Sequence, residues 1–383
     1  MALATVPTFV RNPVRVGFDD LLFEICEELQ LPDSKHELAE LRYKTIGQML
    51  FAPYSPFDHF DPDIYPQGSM RLGTTVRPLD GPFDLDFVCQ LSVPYWQQNP
   101  MTLLDQLYWF FKASDRYRNM VEKKNRCVRL VYADDFYMDI LPACRDTASG
   151  STCIQVPDRQ MSGWSGSNPL GYAGWFQQRS QLRMYKFAAD RAMQPLPLPV
   201  EAKEKEVLQL VVQLMKRWRD LFYADNNYPP ISIVLTTLAA DIYRGETSTS
   251  EALLNILQGI VQRLNESEAQ GRRLQVLNPV HPDEDFSERW DNRDAAYSHF
   301  DMGIRHFAKR WREIYSSGED PRNAFSEIFG EVVGRVVEKR ASRTQRLREN
   351  SLLGVKSSGV ISSISASVSR MRPNTNHGDA KAK

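Results

Sequence analysis

The sequence has no CxxC pair, no HExxH and no histidine pair at metal-ligand spacing. Its five cysteines (Cys26, Cys89, Cys127, Cys144, Cys153) are scattered and odd in number, so they cannot all pair within one chain. That pattern speaks against a disulfide scaffold and a zinc site, and predicts a reduced, intracellular protein. His299 and His306 fall on a predicted helix and read as packed or solvated side chains. Long apolar runs are missing too. The best, Ile231 to Ala240, is far short of the roughly 20 residues that a membrane-crossing helix needs. The first residues, MALATVPTFVRNPVR, hold no basic segment followed by an apolar run, so no signal peptide is expected. A cytoplasmic protein without a membrane partner is the expectation. There is no excess of either charge: 47 Lys and Arg stand against 48 Asp and Glu. This balance excludes coating of nucleic acid by bulk electrostatics, and no strong nucleic-acid binding is expected. A local basic pocket is still allowed.

What is present is an ordinary globular composition, 42% hydrophobic and 25% charged over 383 residues, enough for two or three domains. Phe18, Leu21, Leu22, Ile25 and Leu29 recur at helical spacing until Pro32. Ser34 and Glu37 then form an S-x-x-E capping box for a second helix carrying Leu38, Leu41, Thr45 and Met49. A β-rich core follows. Phe83 to Cys89 alternates apolar and acidic residues as a half-buried strand does, and Arg126–Tyr132 with Phe136–Leu141 reads as a hairpin around Ala133, Asp134 and Asp135. Met101 to Ala113 reads as an apolar helix. Beyond Gln194-Pro-Leu-Pro-Leu-Pro199, a stiff connector, the pattern is helical: Val207–Leu221, Ser232–Tyr243, Glu251–Asn265, Arg293–Ile314 and Asn323–Leu347. The expected domains are therefore 1–199 (N-terminal helices and catalytic core), 200–350 (helical) and a disordered tail over 351–383. The basic run Arg335, Lys339, Arg340, Arg343, Arg346 and Arg348 reads as a solvated helix face.

The chemistry concentrates in Gln67 to Val88. Residues two apart on a strand share a face, so Asp84 and Asp86 stand side by side. Two carboxylates that close repel unless a cation is shared. Their hard oxygens suit Mg²⁺ or Mn²⁺, with substrate phosphates completing the coordination. Gly68 lets the backbone approach a phosphate, and Ser69 offers a hydroxyl and an N–H. Asp139 is the one charge on the apolar strand Phe136-Tyr-Met-Asp-Ile-Leu-Pro142. A buried carboxylate there needs a partner, and a metal shared with Asp84 and Asp86 would be one. Taken singly, each feature also has a bland reading: a solvent-facing alternation, a loop, a turn cap.

The order Gly-Ser, Asp-x-Asp and a later strand Asp resembles the polymerase-β-like nucleotidyltransferase superfamily, with a slightly long interval between Ser69 and Asp84. Four stretches narrow the resemblance to the bacterial cGAS/DncV-like nucleotidyltransferases (CD-NTases), from about residue 15 to about residue 350. They are Gly68-Ser-Met-Arg-Leu-Gly-Thr-Thr-Val-Arg-Pro78, Tyr137-Met-Asp-Ile-Leu-Pro142, Ser167-Asn-Pro-Leu-Gly-Tyr-Ala-Gly-Trp-Phe176 and Asn278-Pro-Val-His-Pro-Asp-Glu-Asp-Phe-Ser-Glu-Arg-Trp290. The resemblance implies an α+β fold, a polymerase-β-like nucleotidyltransferase core (a mixed sheet flanked by helices) with a C-terminal helical bundle domain. It implies two Mg²⁺ ions, with Mn²⁺ as the alternative, on Asp84, Asp86 and Asp139. Leu214-Met-Lys-Arg-Trp218 resembles the superfamily helix whose Lys contacts the donor triphosphate, which assigns that role to Lys216. Pro230-Ile-Ser232 resembles the start of the next helix, which puts Ser232 on the γ-phosphate. Where some relatives follow this Ser with a base-stacking aromatic, this chain has Ile233, leaving Tyr228, Tyr172 and Trp164 as candidates.

The activity so implied is Mg²⁺-dependent joining of NTPs, ATP and/or GTP, into a cyclic di- or trinucleotide, such as cGAMP, with release of pyrophosphate. The implied setting is antiphage (CBASS) signalling through a downstream cyclic-nucleotide-activated effector. A regulatory partner at the C-terminal tail is also implied, although such tails usually end in a small residue and this one ends Ala380-Lys-Ala-Lys383. Two rival readings stay open: a nucleotidyltransferase acting on an RNA or protein acceptor, and a non-catalytic nucleotide-binding regulator. The retained acids disfavour the regulator.

Overall fold

The computed structural model describes residues 13–92, 99–133, 135–180, 193–197, 201–225, 228–291, 293–317, 320–350, 352–356, 361–363 and 368–370. Residues 1–28 with 318–383 form one compact unit, and residues 29–317 form another. This division does not fall at the proline-rich connector expected to mark a boundary near 199. The described part of that connector is tied into the core: Leu196 is buried there, Gln194 N donates to Ile64 O at 2.8 Å, and His36 Nε2 pairs with Pro197 O at 2.9 Å.

The larger unit is built on a mixed seven-stranded sheet. In chain order its elements are α2 (Asp33–Leu50), β1 (Asp63–Pro66), α3 (Gly68–Leu72), β2 (Phe83–Leu91), α4 (Pro100–Lys112), β3 (Val121–Lys123), β4 (Val128–Tyr132), β5 (Phe136–Arg145), β6 (Ile154–Asp158), β7 (Gly163–Ser167) and α5 (Pro169–Arg179). Then follow α6 (Val207–Phe222), α7 (Ser232–Ile242), α8 (Thr249–Ala269), the small hairpin β8 (Leu277–Asn278) and β9 (His281–Asp285), and α9 (Asp294–Ser317). The first unit contains α1 (Pro13–Glu28), α10 (Pro321–Phe329), α11 (Val332–Glu349) and the strands β10 (Leu353–Lys356), β11 (Ile361–Ser363) and β12 (Val368–Arg370). This is the expected α+β core with a C-terminal helical region.

The strand order is β1-β2-β5-β4-β3, with β6 on β5 and β7 on β6; β2 and β5 run parallel and the other pairs antiparallel. Strand parity decides which face does what. Phe83, Leu85 and Phe87 of β2, Met138 and Ile140 of β5 and Val128 and Leu130 of β4 join one core with Tyr43 and Ile46 of α2 and Leu103, Leu104, Leu107 and Phe111 of α4. Their alternate neighbours, Asp84, Asp86, Asp139 and Arg129, therefore lie together on the opposite face.

Several local expectations are revised. The Ser34–Glu37 capping box does not form; α2 starts at Asp33 after Pro32, without a side-chain cap. Its buried stripe is His36, Ala39, Tyr43, Ile46, Gly47 and Leu50, while Leu41 is exposed. The Tyr43 hydroxyl, donating to Gln194 O at 2.7 Å, sets that face inward. The single helix expected over 323–347 is two, because Gly330 stands at φ 76°, a backbone conformation that ends a helix. The tail expected to be disordered carries β10 to β12, a three-stranded antiparallel sheet. Backbone ladder pairing needs no apolar run, which is why composition concealed it. The basic run on α11 is partly a helix seam, since Lys339 pairs with Glu28 and Arg340 with Glu24 of α1. None of the five cysteines is in a disulfide. Among the described residues, no helix is long and apolar enough to cross a membrane.

Candidate active site

Gly68 opens α3 immediately after β1, with φ 59°. Gln67 N donates to Asp86 O at 2.9 Å, which ties the turn to β2. A Cβ at position 68 would come within 2.8 Å of Asp86 Oδ2. Glycine is therefore required twice over, for the left-handed backbone and for the carboxylate beside it. Ser69 faces the same space, its Oγ accepting from Thr75 Oγ1 at 3.3 Å.

On β2, Asp84 is exposed and Asp86 half-buried. The parallel register sets Asp86 directly beside Asp139 of β5. Burial, then the neighbouring carboxylates of Asp139 and Asp84, pushes the Asp86 carboxyl up to about 7. This is the electrostatic signature of acids crowded together. Asp139 is not open, however. Arg129 donates to it through Nε at 2.7 Å and Nη2 at 2.8 Å, and Nη2 also reaches Asp84 Oδ1 at 3.4 Å.

Helix α6 contributes a polar stripe inside an otherwise apolar helix. Gln209 donates to Leu72 O at 2.8 Å, Gln213 to Thr75 O at 2.6 Å and Arg217 to Arg77 O at 2.7 Å. Lys216 donates to Thr74 O at 3.0 Å and Thr74 Oγ1 at 3.1 Å. The stripe satisfies the carbonyls of the loop after α3, which would otherwise be buried without partners. Lys216 is only 5% exposed, so it is not a solvated helix face. Burial, reinforced by the Arg219 guanidinium, lowers its ammonium to about 7. Ser232 is the first residue of α7, and its hydroxyl accepts from Arg219, which also pairs with Asp220.

These parts surround one cleft of ≈ 960 Å³ within the larger unit, lined by Gly68, Ser69, Asp84, Asp86, Lys216 and Ser232 among others. Six of the seven expected site residues thus share one space; the seventh, Asp139, adjoins Asp86 but is turned to Arg129. Of the three aromatic candidates, only Tyr228 lines the cleft. Tyr172 is buried with its hydroxyl 2.9 Å from Thr237, and Trp164 packs against the main core. Arg219, Arg289 and Arg293, none of them among the expected site residues, also line it. Arg219 was legible as the residue one helical turn after Lys216. Arg289 and Arg293 carry no spacing signal.

Two of the motif stretches, Ser167 to Phe176 and Asn278 to Trp290, are joined through Glu284. Glu284 accepts from Ser167 Oγ at 2.9 Å and Asn278 Nδ2 at 2.7 Å, joining β7 to the β8–β9 hairpin. Burial raises the Glu284 carboxyl. The hairpin leads straight into Phe286, Arg289 and Trp290, which line the cleft.

A divalent cation fits the donor chemistry of Asp84 and Asp86: paired hard oxygens facing a cleft, both carboxyls raised by burial first and by neighbouring acids second. Among the described residues, no three His, Cys, Asp or Glu side chains already form a metal-holding group. Asp139, the third acid of the expected set, has both oxygens on Arg129.

Comparison with known proteins agrees with this geometry. The model of the Second Messenger Oligonucleotide or Dinucleotide Synthetase domain matches residues 18–180. The chain is 29% identical over 387 residues to a c-di-GMP synthase of Roseivirga ehrenbergii, covering 97% of this chain and 100% of that protein. It is 27% identical over 303 residues to the cyclic dinucleotide synthase CdnG of Bradyrhizobium diazoefficiens, covering 73% of this chain and 71% of that protein. Its fold matches the solved structure of the Bradyrhizobium CD-NTase CdnG in complex with GTP, with a TM-score of 0.70 at 24% identity over 86% of this chain and 100% of that one. It also matches CdnC of E. coli MS115-1 with ATP, with a TM-score of 0.59 at 16% identity over 82% of this chain and 98% of that one. Sheet, cleft and acid pair agree with these likenesses: residues 18–180 match the second-messenger synthetase domain, and nearly the whole chain is similar to a bacterial c-di-GMP synthase.

Proposed function

We propose that the protein joins nucleoside triphosphates into a cyclic dinucleotide, with GTP as at least one substrate. The carrying observation is the cleft itself. Asp84 and Asp86 stand in the same ≈ 960 Å³ space as Ser69, Lys216, Arg219 and Ser232. Carboxylates and anion-binding donors sharing one cleft suit transfer of a nucleotidyl group, which needs positioning and charge neutralisation more than covalent help. The name of the c-di-GMP synthase and the GTP complex of a structural relative support guanine as a base.

In this reading Ser69, Lys216, Arg219 and Ser232 hold the donor triphosphate. The acceptor ribose hydroxyl attacks the α-phosphorus, the new P–O bond forms, and the bond to the leaving pyrophosphate breaks. Asp139 receives the hydroxyl proton. Magnesium bound at Asp84 and Asp86 would neutralise phosphate charge and acidify the attacking hydroxyl. A second transfer after the linear intermediate turns round closes the ring. Triphosphate substrates imply a cytoplasmic enzyme, and a cyclic product implies a separate effector that reads it, in the antiphage setting of CBASS.

Incubation with labelled NTPs and Mg²⁺, phosphatase treatment and chromatography tests this. A phosphatase-resistant cyclic product containing guanine is expected, with none from Asp86→Ala. Extension of added RNA in its place would replace this reading with an RNA-tailing enzyme.

A further inference from the structure

Arg129 occupies the antiparallel register position opposite Asp139. Its fork takes both carboxylate oxygens, at 2.7 and 2.8 Å, and its second nitrogen extends to Asp84 at 3.4 Å. Such bidentate pairs are the strongest class of charge-assisted hydrogen bond, and only arginine has the planar fork for them. The guanidinium also lies 4.5 Å over the Tyr137 ring, which fixes its plane. Arg129 is thus held from two sides and pointed at two of the three acids.

We propose that Arg129 is a counter-ion latch. It neutralises Asp139 and part of Asp84 before substrate arrives, and it must yield Asp139 for a divalent cation to engage all three acids. The inference rests on the proposed metal-dependent reading of the cleft. Two consequences follow from charge alone. Without Arg129 the crowded acids repel, so the metal-free protein loses stability. The same acids, no longer paired, bind a divalent cation more tightly. Arg129 is a positioning residue in this scheme: it sets where Asp139 stands and what the cation must displace.

Titration of the full-length protein with Mn²⁺ alone, followed by electron paramagnetic resonance, tests the latch without reference to turnover. Arg129→Gln is expected to tighten Mn²⁺ binding on the order of tenfold, the scale of one charged hydrogen bond set free. Arg129→Lys, which keeps the charge but not the fork, should fall between it and the parent. Melting curves should show Arg129→Gln below the parent without Mn²⁺ and gaining more from Mn²⁺. Should the Gln variant not fold, the Lys variant carries the comparison. Parent-like or weaker Mn²⁺ affinity in the folded variants overturns the latch alone. Absence of Mn²⁺ binding by parent and variants overturns both the latch and the metal reading.

Discussion

The carboxylate of Asp86 rests against the Cα of Gly68, so closely that a Cβ there would lie 2.8 Å from Oδ2. The nucleotide-cradling turn and the acid pair are thus one unit of packing. Gly68→Ala should cost about 1–2 kcal/mol from its positive φ alone, before the contact is counted. The displaced Asp86 should matter far more for turnover. An ångström-scale shift of a catalytic group costs on the order of 10²-fold. Melting temperature and kcat measured together check this: a modest fall in the first and a collapse in the second are expected. Near-normal turnover would show that the contact is not functionally tight.

Lys216 gives the cleft a pH dependence. Its ammonium is lowered to about 7 by burial and then by Arg219, so above neutrality the empty site holds it increasingly neutral. A triphosphate restores the charged form, so binding takes up a proton above pH 7. Affinity then falls by up to about tenfold per pH unit above that point. The sign for stability is opposite. The unfolded chain binds more protons than the native one between about 7 and the ordinary lysine value, so this group's contribution to native stability rises with pH there. Calorimetry of a non-hydrolysable GTP analogue at pH 8, in two buffers of different ionisation heat, should detect the uptake. Lys216→Met should abolish it. Equal apparent enthalpies in both buffers for the parent protein would rule Lys216 out as the group responsible.

The acid constellation was legible because strand parity is a property of sequence: Asp84 and Asp86 had to share a face, and Asp139 had to sit on a strand otherwise apolar. Its partner was legible in principle, since pairing Tyr132 with Phe136 in the hairpin puts Arg129 opposite Asp139. Periodicity marks the helices α6 to α9, whereas it runs on through Gly330, whose positive φ separates α10 from α11. Burial of Lys216 was not legible. Lysine on a helix usually means solvent, and only the loop carbonyls of Leu72 to Arg77, brought in by tertiary packing, explain a polar stripe on a core helix. Of the aromatic candidates, Tyr172 and Trp164 failed because ring chemistry says nothing about which side of a sheet or helix faces a cleft.

Glu284 supports a stability prediction separate from catalysis. It is the shared acceptor of Ser167 and Asn278. Glu284→Ala strands these two donors, one of them on the fully buried Asn278. Each unsatisfied group costs about 1–3 kcal/mol, so a melting temperature several degrees lower is expected. Glu284→Gln keeps one carbonyl acceptor and should lie between. Loss of structure should come first in the hairpin leading to Trp290, readable as faster amide exchange over residues 277–290. An unchanged melt for Glu284→Ala would mean that solvent takes over both donors.

Base selection should separate into two side chains. Arg293 lines the cleft and lies 6.0 Å over the exposed ring of Tyr228. Stacking on an aromatic face is indifferent to base identity, whereas an arginine fork matches the adjacent N7 and O6 acceptors of guanine and meets a donor at the same edge of adenine. Tyr228→Ala should therefore raise KM for GTP and ATP alike, by about tenfold. Arg293→Ala should lower kcat/KM for GTP by about 10- to 100-fold while leaving ATP nearly unchanged, corresponding to about 1–3 kcal/mol of discrimination. Because Arg293 also covers Tyr228, its removal exposes more of the ring, so any effect on ATP should be a small gain. Competition assays with both nucleotides present read this ratio directly. A parallel fall for GTP and ATP in Arg293→Ala would show that the guanidinium holds the ring and not the base.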